Sequence, residues 1–302
     1  MQDCYKILID TFDKSRIFID EPMSKHTSFK IGGNADVLMS ATNKNEILNA
    51  VKICLENKLP FYVIGGGNNL LVRDKGFRGI IIKISKEFNS INLTSKTGFY
   101  CDAGASLTSL SGLALENSLT GFEFVSGIPG TIGGAIYMNA GAFDGEIKDV
   151  VVSADVLTND FKEVKLTNEQ LNFGYRTSVI EKENYVVLGA EIALKPGDQN
   201  EIKAKMDDFN DKRRDKQPLS LPSAGSTFKR PKGSFAGKLI MDSGLRGYSI
   251  GGASVSEKHC GFIVNNGGAT ALDVLRIIDH VQNVVFEKFN VLLKPEIRII
   301  GE

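Results

Sequence analysis

Two glycine-dense stretches constrain this 302-residue chain more than any other feature. The first is Ile64-Gly65-Gly66-Gly67-Asn68-Asn69-Leu70-Leu71, and the second is Ser126-Gly127-Ile128-Pro129-Gly130-Thr131-Ile132-Gly133-Gly134-Ala135. Glycine admits positive φ and lets a backbone approach a ligand closely, so consecutive N–H groups can converge on an anion. Two such loops in separate units suit a pyrophosphate, although tight turns account for any one of them about as well. Neither loop contains GxxxxGK[ST], and no GxGxxG sits between a strand and a helix with an acidic residue suitably downstream. A P-loop kinase or a Rossmann dehydrogenase thereby loses most of its support.

Composition narrows the class. A chain with 42% hydrophobic and 24% charged residues reads as a soluble globular protein, long enough for two or three domains. Its 36 basic and 36 acidic side chains cancel, which disfavours charge-driven binding to nucleic acid or to a membrane surface. An anionic ligand must therefore be met by local charge and backbone N–H groups. Cys4, Cys54, Cys101 and Cys260 contain no CxxC pair, which argues against a disulfide framework and against zinc. Cys54 falls within an amphipathic helical pattern and reads as a small buried hydrophobe. His26, His259 and His280 have no metal-ligand spacing. Met1–Lys6 has no apolar core of a signal peptide, and no run approaches the roughly 20 apolar residues of a membrane span. The expectation is a cytoplasmic protein.

The periodicity predicts a helix over 43–57, with an Asn43/Glu46 capping box, followed by strands at Phe61–Ile64 and Gly79–Ile84. Beyond about Ile91 a second α+β unit has a helix near Ser106–Asn117 and strands at Val150–Val156 and Val186–Leu194. Thr167-x-x-Gln170 predicts another helix start. A charged helix over Asp198–Lys216 carries Ile202, Met206 and Phe209 on one stripe, and Arg213 extends it, pointing to an interior surface. A last helix, about Thr270 to Lys288, is expected to turn Leu272, Leu275, Ile278, Val281 and Val285 inward. A closing strand alternates Ile297 and Ile299 against Glu296 and Arg298.

The first glycine loop resembles the flavin-loop signature of the vanillyl-alcohol-oxidase-type FAD-binding superfamily. The second continues into Tyr137-Met138-Asn139-Ala140-Gly141-Ala142-Phe143, which is similar to one branch of it, the UDP-N-acetylenolpyruvoylglucosamine reductase (MurB) family. Phe173-Gly174-Tyr175-Arg176, Ala224-Gly225-Ser226-Thr227-Phe228-Lys229-Arg230-Pro231 and Lys294-Pro295-Glu296-Ile297-Arg298-Ile299-Ile300-Gly301 fit the same branch. The likeness runs from about Thr27 to the C-terminus, and the absence of an insertion after Gly189 resembles the shorter, type II form. It implies an α+β fold: a two-subdomain PCMH-type FAD-binding domain (1–90 and 91–197) followed by an α+β substrate-binding domain (198–302).

The resemblance also implies the chemistry. NADPH reduces non-covalent FAD, which delivers hydride to the enolpyruvyl double bond of UDP-N-acetylglucosamine enolpyruvate, giving UDP-N-acetylmuramate for the cell wall. Cell shape, cell division and the cell cycle are the processes that depend on it. Arg176 is expected to bind the substrate carboxylate, Ser226 to donate the proton at C2, and Glu296 to act as the family's catalytic glutamate. A carboxylate beside a developing dianion is repulsive, so Glu296 is expected to be protonated or to act through a bridging cation or water. The cofactor residues carried over are Ile64, Gly65, Gly66, Gly67, Asn68, Asn69, Leu70, Ser126, Gly127, Pro129, Gly130, Thr131, Gly133, Gly134, Ala135, Asn139, Gly141 and Ala142. Tyr175, Arg213 and Gly225 are carried over as substrate residues, and Lys229, Arg230 and Arg213 are candidates for a local positive field. Gln217, Lys205 and Asn265 are further candidates for nucleotide contacts, and a monomer is expected. The rival readings are an FAD oxidase of the wider superfamily and a regulatory protein that binds a nucleotide without turnover.

Overall fold

A computed structural model describes residues 5–302. The chain packs as two compact units. The first contains the residues up to Phe18, Met39–Gly66 and Ile81–Arg213; the second contains Ile19–Leu38, Gly67–Ile80 and Arg214–Glu302. The chain passes from one to the other within the strands Ile17–Pro22, Asn34–Ala41 and Phe77–Ile84, between Gly66 and Gly67, and again after Arg213. Cys4 lies outside the described residues.

The first unit is built on a five-stranded antiparallel sheet. Its order is Glu163–Thr167, Val151–Leu157, Val186–Ala193, Gly98–Asp102 and Ile91–Leu93. In register, Ala154 faces Ala190 and Ala190 faces Cys101, all buried. These small residues let the helix Ile132–Met138 pack closely on the strand Val186–Ala193. Burial pushes the Cys54 and Cys101 thiols up to about 12, so both behave as hydrophobes, the role expected for Cys54.

Local chemistry explains where the helices start. Asn43 caps the Lys44–Glu56 helix by accepting from the Glu46 N–H at 3.0 Å. The Glu46 carboxylate does not return to Asn43. It accepts instead from the Thr42 N–H at 2.8 Å and from Arg16 at 2.6 Å. Ser106 caps Leu107–Glu116. The expected helix at Thr167 does not form. Its paired cap bonds do, Thr167 N–H to Gln170 and Gln170 N–H to Thr167, but Asn172 at φ 45° ends the coil after one turn.

The second unit has one apolar cluster. It gathers Phe29, Ile31, Leu71, Phe228, Ile263 and Ile297 around one face of the helix Ala271–Phe289. That face is Val274, Ile277, Ile278, Val281 and Val285; Leu272, expected inward, is 47% exposed, and Leu275 is only half-buried. The stripe needs spacings of three and four that continue through Val285, and Val274 satisfies them where Leu272 does not. The closing strand is also shorter than the alternation suggests, covering Arg298–Ile300 only. It pairs in parallel with Leu70–Val72, Arg298 opposite Leu70 and Ile300 opposite Val72. That pairing explains why Gly67–Ile80 packs with the C-terminal third of the chain rather than with the residues that precede it.

Candidate active site

In the first unit the two glycine loops meet. A Cβ on Gly65 would lie 2.6 Å from the Thr131 hydroxyl oxygen, so only bare backbone passes there. Thr131 caps the short helix Ile132–Met138 by accepting from the Gly134 N–H at 3.3 Å. The loop's donors are not all free for a ligand. The N–H groups of Ile132 and Gly133 donate to Ala105 and Ala103, and that of Ile128 donates to Val125. Among the described residues, the Gly130 and Thr131 N–H groups find no acceptor in the chain.

Asn139 follows that helix in the left-handed region at φ 46° and is fully buried. Its side-chain amide donates to Gly174 O at 2.9 Å and Glu146 Oε2 at 3.2 Å, and its carbonyl oxygen accepts from the Lys148 N–H at 3.0 Å. The side chain expected among the cofactor residues is therefore committed to ordering the chain around it. Next to it, Gly174 and Thr177 exchange backbone bonds across a turn whose central residues are Tyr175 and Arg176. Arg176 has φ 56°. Its guanidinium donates to Gly141 O at 2.6 Å and Asn139 O at 3.4 Å, and lies 4.9 Å from the Tyr175 ring centre.

Arg213 has a different setting from the one expected of a substrate residue. It is 5% exposed on the helix Gln199–Lys216. One guanidinium nitrogen donates to Ser126 O, and the other donates to Phe124 O at 2.9 Å. Burial lowers its pKa to about 10. The inward stripe read from the sequence is correct, but the group braces the start of the second glycine loop. Asn210, one turn earlier, donates to the Ser126 hydroxyl at 2.8 Å.

In the second unit the segment around Ser226 pairs on two sides. Ser226 bridges to Phe262, and the Thr227 N–H donates to Gly261 O at 2.8 Å. On the other side the Glu296 N–H donates to Thr227 O at 2.7 Å, and Phe228 bridges to Pro295. Glu296, 70 residues beyond Ser226 in the chain, is thus one backbone bond from Thr227, the residue next to Ser226. Asn69 ties the first glycine loop to the same place. Its amide donates to Glu296 O at 3.2 Å, and its own carbonyl accepts from the Arg298 N–H at 2.8 Å. Nothing in the sequence marked Asn69 as a brace for Glu296, since the signal is a pairing across more than 220 residues. Gly225 has φ 77° with open space where a Cβ would point. Arg230 lies over the Phe235 ring at 4.1 Å, and Asn265 is buried with its side chain bonded to Phe29, Gly267 and Ala269.

Over 301 residues the chain is 50% identical to the UDP-N-acetylenolpyruvoylglucosamine reductase of Caldanaerobacter subterraneus subsp. tengcongensis, covering 98% of this chain and 99% of that one. It belongs to the UDP-N-acetylenolpyruvoylglucosamine reductase family. The corresponding protein of Alkaliphilus oremlandii is 52% identical over 299 residues, covering 99% and 98%. Residues 35–167 match an FAD binding domain, and residues 217–300 match the C-terminal domain of UDP-N-acetylenolpyruvoylglucosamine reductase. The crystal structure of the MurB reductase from Thermus caldophilus superposes with a TM-score of 0.81 at 32% identity, over 94% of this chain and 98% of that one. The fold is accordingly the α+β one implied by the motifs, a PCMH-type FAD-binding domain with the MurB C-terminal domain. The side chains present fit FAD: the Gly65–Thr131 approach leaves bare backbone, and two N–H groups there lack acceptors, as a pyrophosphate requires.

Proposed function

We propose that Arg176, Ser226 and Glu296 are the catalytic residues with which this chain reduces UDP-N-acetylglucosamine enolpyruvate to UDP-N-acetylmuramate. The chain is an FAD-dependent oxidoreductase of peptidoglycan precursor synthesis, and NADPH is its hydride donor. When bound, FAD would supply the redox chemistry, carrying hydride from NADPH to C3 of the enolpyruvyl group. The protein must then stabilise negative charge spread over C2 and the carboxylate, and protonate C2.

Arg176 binds the carboxylate. A guanidinium keeps its charge and binds a carboxylate in a planar fork, and the two backbone carbonyls it donates to orient that fork. Ser226 gives its hydroxyl proton to C2 and recovers one from solvent. Glu296 acts in its protonated form or through a bridging water or cation, because an ionised carboxylate would oppose the charge that forms. Gly225, with open space above it, and Tyr175 line the substrate's approach. The glycine loops Ile64–Leu70 and Ser126–Ala135, with Gly141 and Ala142, hold the FAD. The functional division into 1–90, 91–197 and 198–302 is part of the same proposal, as are a monomeric state, a cytoplasmic location and a role in cell shape and division. Among the described residues no helix is long and apolar enough to cross a membrane.

The observation that supports the assignment most is the backbone coupling of the Ser226 strip to Glu296 through Thr227. The two half-reactions test it. In Ser226→Ala, NADPH should still bleach the flavin absorbance, and the enolpyruvyl substrate should no longer restore it. Normal reoxidation by substrate would remove Ser226 from the mechanism.

A further inference from the structure

The hairpin after Asn139 is closed by an unusual pair. Gly141 pairs with Glu146 and Ala142 with Gly145, which leaves Phe143 and Asp144 as the turn, at φ 50° and 64°. A two-residue turn with positive φ at both positions favours Asn-Gly, and a phenylalanine there is held against its own backbone preference. It is also not a core residue, being 37% exposed.

What holds it comes from one helix. The Phe143 ring stacks on Phe209 at 4.2 Å with 5° between planes, and the Arg213 guanidinium lies 4.8 Å from its centre. Arg213 also grips the Phe124 carbonyl, and the Phe124 ring lies so close to Gly145 that a Cβ there would come within 2.6 Å. The turn is therefore fixed from the Gln199–Lys216 helix and the hairpin from Phe124. At the hairpin's other end, the Gly141 carbonyl receives the 2.6 Å bond from Arg176. Phe143 and that carbonyl are two residues apart in one short hairpin.

We propose that Phe143 is a positioning residue for Arg176, its stack between Phe209 and Arg213 setting the hairpin whose Gly141 carbonyl aims the guanidinium. The inference rests on the carboxylate-binding role given to Arg176 above. A displacement of about 1 Å at a reacting centre can slow a step roughly a hundred-fold, so the effect belongs to the substrate half-reaction.

The test is stopped-flow measurement of both half-reactions on the holoenzyme. Phe143→Gly removes the ring while suiting the positive φ, so it keeps the turn and separates aiming from folding. Expected are FAD content and NADPH reduction as in the unsubstituted protein, reoxidation by substrate slowed roughly ten- to a hundred-fold, and recovery in Phe143→Tyr. Phe209→Leu, which leaves the turn intact, should slow the same step and serves if Phe143→Gly does not retain FAD. In an Arg176→Lys background, which lacks the fork, Phe143→Gly should cause no further loss. Unchanged reoxidation in both Phe143→Gly and Phe209→Leu, or losses that multiply in the Arg176→Lys background, would overturn the inference alone. Normal reoxidation in Arg176→Lys itself would instead defeat the role of Arg176, and the inference with it.

Discussion

Asp74 lies just beyond the strand Leu70–Val72, yet it caps a helix that begins 197 residues later. Its carboxylate accepts from the Ala271 N–H at 2.7 Å and the Leu272 N–H at 2.9 Å, the first two donors of Ala271–Phe289. Thr270 and Asp273 complete the cap with a reciprocal box. In Asp74→Ala the Ala271 N–H, on a buried residue, loses its acceptor, worth about 1–2 kcal/mol. The Leu272 bond is exposed and water replaces it, so it adds only about 0.5 kcal/mol. Removing a carboxylate from a helix N-terminus adds about 0.3–1 kcal/mol. The expected loss is therefore about 2–3 kcal/mol, and Asp74→Asn, which keeps one acceptor, should lose about half. Urea unfolding followed by far-UV circular dichroism measures the total, and amide exchange at Ala271 and Leu272 localises it. A variant within about 0.5 kcal/mol of the unsubstituted protein would show that the reciprocal box alone supports this helix.

Arg213→Met should destabilise the first unit by up to about 3 kcal/mol. Two bonds from a charged donor give about 1.5–3 kcal/mol each, while the fall in pKa to about 10 from 12.5 offsets about 3 kcal/mol of that; Arg213→Lys, lacking the fork, should not recover it, and urea unfolding checks both. Gly65→Ala should lower FAD content as purified, read from flavin absorbance per protein, because its Cβ cannot coexist with the Thr131 hydroxyl as placed. Glu123 supplies a pH dependence. Burial raises its carboxyl pKa, but bonds from the Thr120 hydroxyl and the Gly121 N–H outweigh that and hold it below 4.5. A depressed carboxyl stabilises the folded state above the unfolded value, and that stability is lost as pH falls through the folded one. Glu123→Gln should therefore be less stable than the unsubstituted protein at pH 7, and the difference should shrink below pH 4.5 in thermal melts.

Local signals in the sequence were reliable where the physics was local. Asn43 caps the helix it was expected to cap, the helix near Ser106–Asn117 forms, and the three- and four-residue spacing that ends at Arg213 did point inward. Errors arose where a distant partner decided the outcome. Leu272 starts a row with Leu275 that looks apolar in the sequence, but the row that continues through Val285 begins at Val274, and that row is the one packed in the second unit. Thr167 and Gln170 form both bonds of a helix cap, but the left-handed Asn172 ends the turn. The motifs located Ser226 and Glu296 without any hint that Thr227 joins them, because a single backbone bond across 69 residues has no sequence signature.

The two arginines of the first unit show why a motif outranks residue type in assigning charge. Both donate to backbone carbonyls, Arg176 to Asn139 and Gly141, Arg213 to Phe124 and Ser126. A carbonyl holds a guanidinium by its dipole, so these bonds orient the group without cancelling its charge. Surroundings then separate the pair. Arg213 is buried, with its pKa driven down by desolvation, and a further anion would have to displace packed side chains to reach it. Arg176 is half-buried on a turn, held at φ 56° beside an exposed Tyr175, and its turn is tied to the buried Asn139 through Gly174. A residue kept in a sparsely populated conformation by a fully satisfied buried amide is held for its direction as well as its charge. Of the two, Arg176 is the less buried, and this difference in setting supports the proposal that gives the carboxylate to Arg176.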